Sequence, residues 1–248
     1  VEKTQDANSL NLFLEAYLNY AFHELATPLT VLYSYAQLVE DNLPEDAGLD
    51  SIRRFVSKIV QQGDRTVDML NEFLEATRLL CGTMKLDRIT MPPLNLFTQI
   101  FEERWANQLE AVTIEIGENV AKTNLRLDAP RMKQAFDYLI DFVIHSQLEY
   151  GAVPSDKIYG HLKLTVDDFF RVTIHIPELI LDELKQTYLF DFYRPLRTDE
   201  QGSLVQPKAG RSGMGLFIAH GIVKLHGGEL AYNSDLPGFL LQLPLDND

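Results

Sequence analysis

Apolar residues recur at helical spacing from Leu10 to Val39, through Phe13, Leu14, Tyr17, Leu18, Ala21, Leu25, Leu29, Leu32 and Ala36. The pattern predicts one long helix over residues 9–42. The stretch Asn42-Leu43-Pro44-Glu45-Asp46-Ala47-Gly48 reads as a turn from its Pro, Asp and Gly content. A second stripe, Ile52, Val56, Ile59, Val67, Leu70 and Leu74, predicts a helix over 49–80. Two amphipathic helices joined by a short turn make an antiparallel hairpin. A lone hairpin leaves one stripe uncovered, so two copies are expected to pair as a dimeric four-helix bundle.

After Cys81 the pattern changes. Gly82, Thr90, Pro92 and Pro93 break it, and a mixed region follows. Residues 94–109, 130–148, 179–191 and 213–226 read as helices. Val112 to Ile116, Asn124 to Asp128, His161 to Val166, Arg171 to Ile176 and Phe239 to Leu243 read as strands, with a hairpin turn at Asp167-Asp168. The expected fold class is α+β: a hairpin domain over 1–82, a linker over 83–93, and an α/β sandwich over 94–248 with helices on one sheet face.

Composition narrows the function classes. With 248 residues, 46% hydrophobic and 23% charged, the chain has the balance of a globular protein with a real core. Its net charge of −14 argues against nucleic acid, where neutralising phosphates supplies most of the affinity. The single cysteine, Cys81, permits no internal disulfide and suggests a cytoplasmic setting. No apolar run is long enough to span a bilayer, and Val1 to Asn8 lacks the features of a signal peptide.

The chemistry concentrates in Phe22-His23-Glu24-Leu25-Ala26-Thr27-Pro28-Leu29-Thr30. Positions 21, 25, 29 and 32 form the apolar face, and His23 falls beside it, able to reach solvent. Imidazole is nucleophilic near neutral pH. Glu24 is placed to act as base or to orient the ring. Thr27, four residues on, shares the histidine's face and can position a water or a partner. Pro28 has no N–H, so the carbonyl of Glu24 loses its helix bond and the helix can bend beside the histidine. This segment resembles the phosphoacceptor box of the histidine kinases of two-component signalling. The resemblance covers nearly the whole chain: hairpin, mixed domain of the GHKL type, and a glycine box near the end.

The resemblance implies a set of nucleotide boxes. Gly210-Arg211-Ser212-Gly213-Met214-Gly215-Leu216 is similar to the last of them, in which glycines at a helix N-terminus let backbone N–H groups approach phosphate. Phe190 to Pro195 is similar to the F-box, which makes residues 196–209 the lid. Gly213, Gly215, Lys208 and Arg211 are the candidate nucleotide contacts. Two further boxes depart from the family. Tyr138 and Phe142 stand where asparagines would hold magnesium, with Asp137 and Asp141 one residue earlier on the helix. Ile176 stands where an aspartate would bond adenine, and the glycines that should follow are absent. With these boxes lost, Gly213 and Gly215 read as a helix cap and tight turn kept for folding, and neither ATP nor magnesium is an expected cofactor. His145, His161, His175, His220 and His226 lack metal-ligand spacing, so no metal site is expected.

What the resemblance implies is a phosphotransfer protein that exchanges a phosphoryl group between His23 and the aspartate of a response-regulator receiver domain, as a homodimer. The alternatives are an active ATP-dependent kinase with unusual boxes, using magnesium, and a silent dimeric scaffold that regulates another kinase. Retention of Glu24, Thr27 and Pro28 beside His23 disfavours the scaffold.

Overall fold

The structure is a computed structural model describing residues 21, 25–39, 49–104, 109–150, 158–177, 179–181, 183–191, 197–198, 204–205 and 214–245. The chain divides into two compact units that part between Thr77 and Arg78.

The first unit holds helix α1, described over residues 25–39, and most of helix α2, Leu49–Leu80. Each helix carries two apolar stripes one residue apart. On α1 the inner stripe is Leu25, Pro28, Leu32, Tyr35 and Val39, buried or half-buried at every position. On α2 it is Ile52, Phe55, Ile59, Gln62, Thr66, Met69, Phe73 and Ala76. The alternating steps of three and four residues are those of a helix seam. The two seams meet: Leu32 lies against Gly63, and the rings of Tyr35 and Phe55 stand 6.2 Å apart. The second stripe, Leu29 and Tyr33 on α1 with Val56, Val60, Val67, Leu70 and Leu74 on α2, is exposed. The single stripe read from the sequence of α2 is thus two: Ile52 and Ile59 face inward, while Val56, Val67, Leu70 and Leu74 face outward.

The second unit is built on a five-stranded sheet in the order β2-β4-β5-β9-β8. Its strands are β2 (Leu109–Ile116), β4 (Ile158–Val166), β5 (Phe169–His175), β8 (Glu229–Asn233) and β9 (Gly238–Pro244). The β2–β4 pair is parallel and the others antiparallel. Leu162, Leu164, Phe170, Val172, Ile174, Leu230, Phe239, Leu241 and Leu243 alternate onto one buried face. Three helices cover it: α3 (Pro93–Arg104), α4 (Ala129–Tyr150) and α6 (Gly215–Leu225). Phe97 of α3 links the layers, lying 5.0 Å from Phe136 of α4 and stacked 5.3 Å from Phe170 of β5. The other face carries Thr113, Glu115, His161, Lys163, Thr173 and Gln242 at least partly in solvent. That polar alternation is what a mostly antiparallel sheet with one covered face shows.

Smaller elements complete the unit: β1 (Ile89–Met91) paired with β3 (Leu125–Leu127), a 3-10 turn (Val120–Lys122), the short helix α5 (Glu183–Thr187), and β6 (Arg197–Thr198) paired with β7 (Leu204–Val205). Several expectations need correction. The helix read over 94–109 ends at Arg104, and Leu109 already belongs to β2. The helix read over 179–191 is helical only across Glu183–Thr187. Leu179 and Leu181 are both buried, a spacing of two that no helix face provides, and the Leu179 carbonyl and Leu181 N–H both bond the Tyr232 hydroxyl. Strands β1 and β8 sit where the sequence showed no strand. Gly238, with φ +147, admits no side chain, because a Cβ there would lie 1.9 Å from the Ile174 carbonyl oxygen. The parts of the first predicted helix before Ala21, the turn over 42–48 and the lid residues 206–209 lie outside the described residues. Among the described residues, no helix is long and apolar enough to cross a membrane.

Candidate functional site

The phosphoacceptor box is described from Leu25 onward. His23 and Glu24 lie outside the described residues. Thr27 is exposed on α1, while Pro28 next to it is buried in the inner seam. Thr27, Thr30 and Ser34 follow one another at steps of three and four on the outer surface. The Thr30 hydroxyl donates to the Ala26 carbonyl at 2.7 Å, and the Ser34 hydroxyl to the Thr30 carbonyl at 2.8 Å. Both hydroxyls therefore turn back onto their own helix. The box thus opens a polar line to solvent, flanked by the exposed apolar stripe through Leu29 and Tyr33.

In the second unit the box positions come together, but with altered chemistry. Gly215 is the first residue of α6, and Met214 before it is fully buried. A Cβ built on Gly215 would stand 2.6 Å from Cδ1 of Tyr138 and 3.1 Å from its Cγ. The glycine is required here by the tyrosine ring of α4. Phe142, one turn further along α4, lies 5.9 Å from Phe239 in edge-to-face contact. Phe190 of the F-box lies 6.3 Å from Phe239 and stacks on His220 of α6 at 4.9 Å and 17°. Rings from α4, β9, α6 and the F-box therefore pack in a row that includes Phe142, one of the two positions where the resemblance expects a magnesium ligand. Gly213, Lys208 and Arg211, the other predicted contacts, lie outside the described residues.

Ile176 is fully buried, and its N–H donates to the Pro237 carbonyl at 2.8 Å. The segment that follows is pinned to the sheet. The Tyr232 hydroxyl donates to the Leu179 carbonyl at 2.5 Å and accepts from the Leu181 N–H at 3.3 Å. Ile176 offers no acceptor for an adenine amino group, and neither Tyr138 nor Phe142 offers the carboxamide oxygen that magnesium favours. Asp137 and Asp141 are half-buried and engaged with neighbours. Among the described residues no three His, Cys, Asp or Glu side chains cluster as a metal site. Among the described residues, Ile176, Tyr138 and Phe142 thus lack the polar groups with which the resemblance would hold adenine and magnesium. An open cleft of about 580 Å³ lies between α5 and β8, lined by Glu183, Gln186, Thr187, Phe190, Leu230 and Tyr232; Tyr138, Phe142 and Gly215 take no part in it.

Two histidines are shifted by burial. Desolvation lowers the pKa of His220, with Lys224 adding to the effect. Desolvation likewise lowers that of His226, against a bond to the Ile222 carbonyl that raises it. On the open sheet face the Glu115 carboxylate is held below its ordinary range, chiefly by its bond to Lys163. Sequence reasoning missed Tyr232 and Asp128, whose roles depend on partners 51 to 53 and 98 residues away. The one available signal was the X-Asp-Ala-Pro start of α4, which matches a helix N-cap.

Residues 14–82 match the His Kinase A (phospho-acceptor) domain. The chain is 27% identical over 237 residues to the signal transduction histidine-protein kinase AfsQ2 of Streptomyces coelicolor, covering 90% of this chain and 40% of that protein. It is 25% identical over 239 residues to the alginate biosynthesis sensor protein KinB of Pseudomonas aeruginosa, covering 91% and 36%. In fold it resembles the histidine kinase AdeS of Acinetobacter baumannii, with a TM-score of 0.63 at 16% identity, over 91% of this chain and 98% of that one. It also resembles full-length ShkA, solved in complex with AMPPNP, with a TM-score of 0.60 at 14% identity, over 93% and 46%. The chain spans less than half the length of the curated relatives it matches.

Proposed function

We infer that this chain, which belongs to the sensor histidine kinase family of two-component signalling, passes a phosphoryl group between His23 and the aspartate of a response-regulator receiver domain, without a working ATP site of its own. The Tyr138 ring packed on Gly215 carries this reading: the last glycine of the box lies against a side chain of α4. Phe142 packs edge-on against Phe239 where the resemblance places a magnesium ligand, and Ile176 offers no acceptor for an adenine amino group. An unpaired polar group of this kind costs about 1–3 kcal/mol.

The phosphoacceptor box keeps its chemistry. In transfer from receiver to hairpin, a nitrogen of the His23 imidazole attacks phosphorus, the acyl-phosphate P–O bond breaks, a P–N bond forms and the aspartate leaves as carboxylate. The reverse reaction runs through the same geometry. Glu24 orients the ring, and Thr27 lies one turn away on the same helix. The receiver's own magnesium supplies charge stabilisation for phosphoryl transfer. The exposed second stripe of the hairpin supports pairing of two copies into a four-helix bundle.

Incubation with a phosphorylated receiver domain tests the chemistry. Wild type is expected to drain the receiver and acquire acid-labile phosphate, and His23→Ala to do neither. Equal drainage by both proteins favours the scaffold and sinks the transfer. Calorimetric titration with Mg-ATP tests the second half: micromolar binding would restore the autokinase.

A further inference from the structure

The C-terminal end of α6 holds a buried polar cluster that the phosphotransfer reading does not use. His226 and Asp128 are both more than nine-tenths buried. The His226 Nδ1–H donates to the Ile222 carbonyl at 2.8 Å, and its Nε2 accepts from the Asp128 backbone N–H at 3.0 Å. That geometry demands the neutral ring with its proton on Nδ1. The Asp128 carboxylate accepts from the Arg131 N–H at 3.1 Å, capping α4, and from the Asp87 N–H at 2.8 Å. The neighbouring Arg88 guanidinium donates to the Leu225 carbonyl at the last residue of α6. Asp87 and Arg88 belong to the segment that leaves α2 and leads into β1. One imidazole and one carboxylate therefore join three pieces of chain: the exit of α2, the start of α4 and the end of α6.

We propose that His226 is a pH-gated clasp on the segment leaving α2. A proton taken from solvent onto Nε2 turns an acceptor into a donor facing the Asp128 N–H, and the bond between them is lost. Of the charged groups that act on the ring, the Asp128 carboxylate is the one that favours the new imidazolium, and it is engaged by the Asp87 N–H. When the carboxylate turns to the ring, the Asp87 N–H is released, while Arg88 still ties the segment to the end of α6. The charged groups on the packed elements are Asp87 and Arg88 before β1, Asp128 and Arg131 at the start of α4, and Lys224 on α6. Arg88 opposes the imidazolium and Asp128 favours it, while desolvation keeps the ring neutral. The clasp is closed at neutral pH and opens below the ordinary imidazole value of 6.5. Its sign follows from linkage. The unfolded chain takes up this proton at a higher pH than the folded chain, so the clasp's stabilisation is complete above about 6.5 and declines as pH falls toward the folded value.

Nitrogen-15 NMR of the full chain between pH 7.5 and 5 tests this. At neutral pH the His226 ring is expected as the Nδ1–H tautomer. On acidification the ring and the Asp87 and Asp128 amides are expected to move with one shared midpoint below 6.5. In His226→Gln, which keeps an acceptor but has no proton to gain, the Asp87 amide is expected to stay still. A ring that is Nε2–H at neutral pH, or an Asp87 amide that ignores the ring or titrates unchanged in His226→Gln, overturns the clasp. Where acid unfolds the protein first, the clasp requires the unfolding midpoint to fall to lower pH in His226→Gln. An unmoved midpoint overturns it equally.

Discussion

The hairpin and the sandwich unit keep opposite halves of the same inheritance. In the hairpin the sequence of the phosphoacceptor-like box is kept, with Leu25, Thr27 and Pro28 among the described residues, and the helix seams follow regular steps of three and four. In the sandwich unit the scaffold is intact, with sheet order, covering helices and a buried core, while the positions that would touch a nucleotide carry Tyr138, Phe142 and Ile176. These replacements are not surface drift. Each is packed: Tyr138 on Gly215, Phe142 on Phe239, Ile176 wholly buried. Core packing is close and adds stability for each apolar group buried. On the proposed reading, a site relieved of binding polar ligands is free to fill with apolar groups, and the filled site then resists restoration.

That contrast makes Ile176→Asp the most damaging change. Restoring the family's aspartate puts a carboxylate into a fully buried position and is expected to cost about 3–5 kcal/mol, without creating ATP affinity. Denaturant unfolding and Mg-ATP calorimetry on the same variant check both halves. A stable variant that binds nucleotide would show the site to be vacant rather than filled.

Next in size is Leu74→Glu on the outer stripe of α2. Leu74 is exposed in the protomer, so the fold is expected to survive. If two copies bury this stripe, each loses about 1.5–3 kcal/mol, and dimer dissociation tightens its demand on concentration by at least tenfold. Sedimentation equilibrium reads the change, and an unaltered dimer would move the interface elsewhere.

Gly215→Ala follows. Its new Cβ meets the Tyr138 ring at a distance real contacts never show, and a destabilisation of about 1–3 kcal/mol is expected. In a Tyr138→Ala background most of that cost disappears, because the clashing ring is gone. The resulting non-additivity distinguishes a packing glycine from a phosphate-binding one. If both backgrounds lose the same amount, the glycine is kept for its backbone conformation and the ring contact is incidental.

Periodicity carried most of the architecture. The buried positions of α4, Met132, Ala135, Phe136, Leu139, Ile140 and Val143, repeat as a helix face should, and β5 alternates at every residue. What escaped was decided at long range. The α2 seam and its outer neighbour are both apolar, so only burial separates Phe55 from Val56. Strand β1 is three residues long and exists because β3 pairs with it. Residues 179–181 carry an apolar pattern compatible with a helix, and the Tyr232 hydroxyl resolves it otherwise. In the site, the departures from the family's pattern were legible as residue identity. The close packing of Tyr138 on Gly215 was not, because nothing in a sequence says which two helices touch.

Tyr232→Phe is the mildest probe and the one aimed most narrowly at the replaced adenine loop. The substitution keeps the ring, which stands 6.2 Å from Phe239, and removes only the hydroxyl that holds Leu179 and Leu181. Two backbone groups lose their partner, but the open cleft beside α5 lets water replace part of it. The expected loss is therefore near the net value of one hydrogen bond, about 1 kcal/mol. Hydrogen exchange is expected to quicken at Leu181 and to remain unchanged on α6. A loop held back from nucleotide by this hydroxyl would, once freed, gain ATP affinity. A loop anchored mainly by the burial of Leu179 and Leu181 gains none, because both side chains stay in the core.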